Sequence, residues 1–278
     1  MRAWAVRQPG PIDDHPIELV DRPPPRPGLR EVRVRVSVCG VCRTDLHLAE
    51  NLCLDPRFTG WDADGGYADH AVVHEDYAYR LPDVFTDEQA APLLCAGIIG
   101  YRALRRAAVP PGGHVAIFGF GGSAHLAAQV AMAEGATVHV RTRSPEARVL
   151  ALELGVATAS DTFDPLPRPV DSAIVFAPAG EIVPVALAGL DRGGTVAVAG
   201  IHLTDIQPLR YADHLFEERQ LRSVTANTRA DGLAFLEAAA RIPIHVATTP
   251  YPLEQADEAL RDLAHDRVTG AAVLRVAG

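Results

Sequence analysis

No stretch of the chain approaches the ~20 consecutive apolar residues that a membrane-spanning helix requires, and the opening residues Met1, Arg2, Ala3 and Trp4 begin no apolar signal core. A membrane partner is not expected, and the expected location is cytoplasmic. Positive charge is scarce: 26 basic residues against 35 acidic ones leave a net charge of −9. Such a surface repels phosphate backbones, and the arginine clusters at 102–106 and 141–143 are too short to form a binding stripe, so nucleic acid is not the expected partner. Cysteines number four, Cys39, Cys42, Cys53 and Cys95, all in the first third. In a reducing compartment that pattern points to metal binding or catalysis rather than to a disulfide framework. What remains is ample for folding: 278 residues, 48% of them hydrophobic, can build two domains that each bury a core.

Two patterns divide the chain. Up to about residue 95, short valine alternations such as GluValArgValArgValSerVal at 31–38 and TyrAlaAspHisAlaValValHis at 67–74 are broken by proline and glycine, which predicts a small antiparallel β domain. From 97 to 240, apolar strand-like runs at 114, 137, 172 and 195 alternate with helical periods at 123, 145 and 181. Strand then helix, repeated, predicts βαβ units and a parallel sheet. The tail from 241 returns to short strands around one helix, so residues 1–96 and 241–278 are expected to form one domain into which 97–240 is inserted.

Between the run at 114 and the helical period at 123 lies Gly119, Phe120, Gly121, Gly122, Ser123, Ala124, a GxGxxA string in strand-to-helix context. Glycines there permit a tight turn and let a pyrophosphate approach the helix N-terminus, where backbone N–H groups and the dipole favour anions. About twenty residues on, an NAD site carries an acid that holds the ribose hydroxyls. Here the second strand ends Val140, Arg141, Thr142, Arg143, Ser144 with no acid. Thr142, Arg143 and Ser144 suit a ribose 2′-phosphate, so NADP is the expected cofactor, with NAD kept open.

Six segments together resemble the zinc-dependent alcohol dehydrogenases of the medium-chain dehydrogenase/reductase superfamily. They are CysGlyValCysArgThrAspLeuHis at 39–47, GluAsnLeuCys at 50–53, GlyGlyTyrAla at 65–68, AlaAlaProLeuLeuCysAlaGly at 90–97, the Gly119 loop, and AsnThrArgAlaAspGly at 227–232. The resemblance implies an α/β fold: a Rossmann doubly wound parallel sheet joined to a GroES-like β domain, in a homo-oligomer acting on a small-molecule alcohol or aldehyde. It implies Cys42 and Cys95 as ligands of a catalytic zinc, Arg43 on the cofactor pyrophosphate and Thr44 on the substrate oxygen. It further implies Asp45 beside the metal site, His47 passing protons outward, and Asn227 and Arg229 contacting the cofactor.

One part of the family pattern is missing. After CysArgThrAspLeuHis the family continues to a Gly-His-Glu segment, which supplies a histidine ligand, and then to a lobe whose four cysteines hold a structural zinc. Here Ala49 and Glu50 run directly into Asn51, Leu52 and Cys53, which match the end of that lobe. About sixty residues are absent near 50/51, and the β domain is shortened accordingly. Cys53 alone cannot hold a structural zinc, so that site is expected to be absent. His70 and His74 would share a strand face roughly 13 Å apart, too far for both to bind one metal. Removing barrel strands also leaves edges that invite pairing with another chain. Three functions stay open: a zinc-assisted alcohol dehydrogenase, a zinc-free quinone or enone reductase, and a silent NADP-binding protein.

Overall fold

The computed structural model describes residues 1–41, 60, 63–201 and 203–276. These residues form two compact units: Met1–Cys95 with Thr228–Leu236 and Val246–Gly278, and Ala96–Asn227 with Glu237–His245.

The first unit opens with β1 (Arg2–Val6), β2 (Ile17–Asp21), β3 (Glu31–Arg35), β4 (Val38–Val41), β5 (His70–His74) and the helix α1 (Asp87–Pro92). Thr86 and Gln89 close a reciprocal capping box at the start of α1. Strands β1 and β2 pair antiparallel, as do β3 and β5. Later in the chain come β12 (Thr248–Pro252), the helix α8 (Ala256–Ala264) and β13 (Ala271–Arg275), with β13 pairing parallel to β12 and antiparallel to β4. The core of this unit gathers Leu253, Ala256, Ala259, Ala272, Leu274 and Val276 against Trp4, Cys39 and Tyr67. Trp4 Nε1 donates to the Leu253 carbonyl at 2.6 Å, which satisfies the one polar atom of that indole.

The alternation at 31–38 predicts one strand, but the structure divides it. Val36 donates its N–H to the Asp69 carbonyl, after which the chain turns away to pair with β13. Among the described residues β3 has β5 as its one strand partner, and Val32 and Val34 remain 40% and 38% exposed.

The second unit runs through α2 (Ile98–Ala107), β6 (His114–Phe118), α3 (Gly122–Ala133), β7 (Thr137–Arg141), α4 (Pro145–Glu153), β8 (Thr158–Ser160), β9 (Val170–Val175), α5 (Ile182–Ala188), β10 (Leu190–Val198), α6 (Tyr211–His214) and β11 (Gln220–Ser223). A further helix, α7 (Arg229–Arg241), follows Asn227. Six parallel strands lie in the order β11-β10-β9-β6-β7-β8. This is the doubly wound Rossmann arrangement, in which connections from β6 leave to one side and later strands return on the other. Strands buried on both faces read as unbroken apolar runs, and Val115, Ala116, Ile117 and Phe118 are each at most 1% exposed.

Polar exceptions inside this unit are wired. The Arg168 guanidinium, which can only donate, reaches His114 Nε2 at 3.2 Å. His114 therefore carries its proton on Nδ1 and donates it to His139 Nε2 at 3.0 Å. His139 in turn donates from Nδ1 to Thr158 Oγ1 at 3.0 Å. Every ring nitrogen of this relay has one direction, and an extra proton on His139 would set its Nε2–H against the Nδ1–H of His114.

Candidate functional site

Glycines 119 and 121 occupy the turn from β6 to α3, at the edge where the strand order reverses between β6 and β9. In a doubly wound sheet that switch point is where ligands bind. Gly119 has φ +85, a left-handed conformation, and a Cβ there would lie 2.8 Å from the Ala177 amide nitrogen. Its N–H donates to the Arg141 carbonyl at 2.8 Å, tying the start of the turn to the end of β7. Gly121 is the N-cap of α3, and the position its Cβ would fill has no other atom within 4 Å. An anion therefore has open space beside N–H groups that have no partner in the helix. Ser123 and Ala124 form the first turn of α3. A Cβ on Gly100 would come within 2.6 Å of the Ser123 carbonyl, so α2 can lie this close only with glycine there. The donors and the cradle fit a pyrophosphate.

The end of β7 holds one residue that the sequence did not single out. Arg141 is 2% exposed. Its guanidinium donates to the carbonyls of Val140, Asp164 and Pro165 at 2.8, 3.2 and 2.8 Å, and burial lowers its pKa. It is an internal tie rather than a ribose contact. Thr142 is also buried, while Arg143 is exposed. Ser144 caps α4: its hydroxyl accepts the Ala147 N–H at 3.1 Å and donates to Glu146 at 2.9 Å. Sequence reading missed Arg148, one turn further on, which reaches both the Thr142 carbonyl and Asp161. Its helical spacing from Ser144 was the available signal.

Asn227 ends the second unit's main segment and is half-buried. Arg229, assigned with the first unit, lies over the Tyr77 ring at 5.4 Å and 3.7 Å from Asp76. Gly232 lies against Tyr79, whose ring a Cβ would meet at 2.7 Å.

The expected metal and proton-transfer residues divide differently. Cys42, Arg43, Thr44, Asp45 and His47, and also Cys53, lie outside the described residues. Cys95 is half-buried in a π-helical turn, Leu93–Gly97, that continues α1. Within the first unit α1 packs on β4, the strand that precedes Cys42 in sequence. Cys39 lies against Gly66, where a Cβ would sit 2.8 Å from its Sγ. This explains the small residue in GlyGlyTyrAla. His70 and His74 are both on β5, and His74 Nδ1 accepts from the Asp76 N–H. Among the described residues no three His, Cys, Asp or Glu side chains converge as metal ligands, so the donors described do not by themselves make a zinc site.

Comparison with known proteins places the chain. No protein-family model matches it. "Probable alcohol dehydrogenase AdhA" of Mycobacterium tuberculosis is 48% identical over 337 aligned positions, covering 99% of this chain and 97% of that protein. Those 337 positions exceed the chain's own 278 residues, so the relative carries residues with no counterpart here. An alcohol dehydrogenase of Geobacillus stearothermophilus is 32% identical over 248 positions, covering 86% of the chain and 73% of that protein. Among solved structures, a cinnamyl alcohol dehydrogenase of Sorghum bicolor superimposes with a TM-score of 0.87 over 100% of the chain and 98% of its own, at 24% identity. With this ancestry, this sheet order and this glycine turn, the chain belongs to the alcohol dehydrogenase family of the medium-chain dehydrogenase/reductase superfamily, as an internally shortened member.

Proposed function

We propose that the chain is an NADP(H)-dependent oxidoreductase that interconverts a primary alcohol and its aldehyde. The observation that carries this reading is the open, glycine-lined start of α3 at the sheet's switch point, in a chain aligned almost end to end with an alcohol dehydrogenase relative. Bound NADP(H) supplies or accepts the hydride. The turn at Gly119, Gly121 and Gly122, with Ser123 and Ala124 behind it, holds the pyrophosphate. Arg143, with Thr142 and Ser144, flanks the 2′-phosphate. Arg43, Asn227 and Arg229 complete the cofactor contacts. Thr44 holds the substrate oxygen and its proton, His47 carries the proton outward, and Asp45 orients the loop. Cys42 and Cys95 are the ligands a catalytic zinc would use, and when bound that ion polarises the substrate oxygen. The domains run 1–96 with 241–278, and 97–240. The protein works as a cytoplasmic homo-oligomer, in which the β3 edge left without a strand partner among the described residues is a surface a second chain can cover.

The cofactor preference has a direct test. Arg143→Asp replaces attraction to a 2′-phosphate with repulsion, so its NADPH Kd should rise at least about ten-fold while its NADH Kd moves by less than about three-fold. Fluorescence titration with both dinucleotides reads this, and equal losses would remove the NADP assignment.

A second reading is favoured by the shortening itself: without the family's histidine ligand, hydride passes to a conjugated carbonyl with no metal. Reduction of a short aldehyde series and of a cyclic enone should therefore be followed with NADPH, with and without a chelator, alongside zinc per chain. Aldehyde turnover that a chelator abolishes supports the first reading. Enone turnover that a chelator leaves intact supports the second. NADPH binding with no turnover on either would leave a silent cofactor binder and overturn both.

A further inference from the structure

We infer that His125 is a positioning residue for the dinucleotide pyrophosphate: its imidazole is a strut beneath the glycine turn that aims the Gly122 N–H at the anion. This rests on the dinucleotide reading above and deepens it.

His125 is 0% exposed, one turn into α3. A fully buried histidine in the helix behind a phosphate cradle has no access to a substrate, so its contribution must pass through what it touches. Its backbone N–H donates to the Gly121 carbonyl at 3.1 Å, and its ring Nδ1 lies 3.1 Å from the same oxygen. A carbonyl only accepts, so Nδ1 carries the proton. The Gly121 carbonyl is thus held inward by two donors from one residue.

Peptide planarity converts this into an orientation outside the helix. In a trans peptide the carbonyl of one residue and the N–H of the next point to opposite sides of one plane. Holding the Gly121 carbonyl toward His125 turns the Gly122 N–H away from it, toward the start of the helix where Gly121 leaves the space open. Glycine gives this peptide unusual freedom to rotate. The flexibility that lets a pyrophosphate approach would also let the donor swing off target. His125 removes that freedom without adding an atom to the cradle.

A second connection steadies the strut. The Gln129 side chain, one turn further along α3, donates to the His125 carbonyl and to the His245 carbonyl, each at 2.9 Å, and accepts the His245 N–H at 2.7 Å. Burial keeps the imidazole neutral, its pKa lowered to about 4. It therefore acts near neutrality as a fixed donor, not as a charge.

The test separates positioning from packing by where the donor sits. In the His125→Asn variant the side-chain amide nitrogen would take the place of Nδ1, so this variant should bind 2′-phospho-ADP-ribose within about three-fold of the unsubstituted protein. His125→Leu removes the donor and should weaken 2′-phospho-ADP-ribose about ten-fold, yet leave 2′-AMP, which has no pyrophosphate, unchanged. Calorimetric titration of the full chain gives both constants. If the leucine chain does not fold, His125→Gln replaces it, because its amide nitrogen lies at the Nε2 position, away from Gly121, and the same selective loss is expected. Equal weakening of both ligands, or no weakening of either, overturns the inference. An unsubstituted protein that binds 2′-AMP and 2′-phospho-ADP-ribose with equal affinity also overturns it, while leaving cofactor binding standing. Failure of the unsubstituted protein to bind any dinucleotide overturns the dinucleotide reading first and the inference with it.

Discussion

Replacing Arg141 with alanine is expected to cost the parallel-sheet unit about 2–3 kcal/mol, because the buried Val140 carbonyl and the part-buried carbonyls of Asp164 and Pro165 lose their donor together. The acceptors, on Val140, Asp164 and Pro165, belong to the end of β7 and to the segment between β8 and β9, so the guanidinium ties two separate stretches together. A cavity the size of a fully buried arginine adds to the loss. Arg141→Lys should recover part of it, since one ammonium cannot reproduce the planar fork. Urea denaturation followed by circular dichroism gives the midpoints. Dinucleotide titration of the folded fraction should show an unaltered NADPH to NADH ratio. An Arg141→Ala chain within about 0.5 kcal/mol of the parent would mean the ties are worth little. A changed cofactor ratio would place Arg141 at the ribose site instead.

Acid is expected to destabilise the same unit before its carboxylates titrate. His125 and His139 are both held neutral, with pKa values lowered to about 4. Burial is the main cause in each, joined at His139 by His114 and by the positive charges of Arg141 and Arg168. An unfolded histidine takes up a proton near about pH 6.5, which the folded protein refuses until near 4. Their stability contribution is therefore fully present above about 6.5 and is lost progressively as the pH falls toward 4, by up to about 3 kcal/mol for each ring. Glu146 in the same unit has a pKa lowered by a backbone N–H and by Ser144, and Asp13, Asp69, Glu88 and Asp262 of the other unit have pKa values lowered chiefly by histidine or arginine partners, so the carboxylate loss falls in a separate, more acid window. Urea midpoints at about pH 7.5, 6 and 5 trace the first window, and His139→Gln should flatten that slope by about half. A slope that begins only below about pH 4, or one that the substitution leaves unchanged, would show that these rings do not set the acid limit.

Much of the fold was legible because its signals are local. The run at 114, the glycines at 119, 121 and 122 and the helical period behind them stand consecutively in the chain, and β6, the turn and α3 occupy those positions. The apolar runs at 137, 172 and 195 became β7, β9 and β10 for the same reason. What escaped depends on distant partners. Arginine usually sits outside, and nothing near 141 in sequence announces that the carbonyls of Asp164 and Pro165 will receive it. The division of 31–38 between β3 and β4 required knowing that β13, more than two hundred residues later in number, pairs with one half only. His125 reads as one polar residue in an apolar helix, and its role became visible only once Nδ1 was placed on the Gly121 carbonyl. The loop from Cys42 to His47 was legible only through likeness to relatives and lies outside the described residues.

The pairing of β4 with β13 also fixes an order of events during synthesis. Cys39 faces Leu274 across that ladder, so β4 must wait for a strand made more than two hundred residues later. The parallel-sheet unit is drawn almost wholly from Ala96–Asn227 and Glu237–His245, and its strands can all have left the ribosome before Ala271 is added. Of the two units, the one begun first is therefore finished second. Until then Val38–Val41 waits as an unpaired edge, exposed to the cell for as long as the ribosome takes to write the rest.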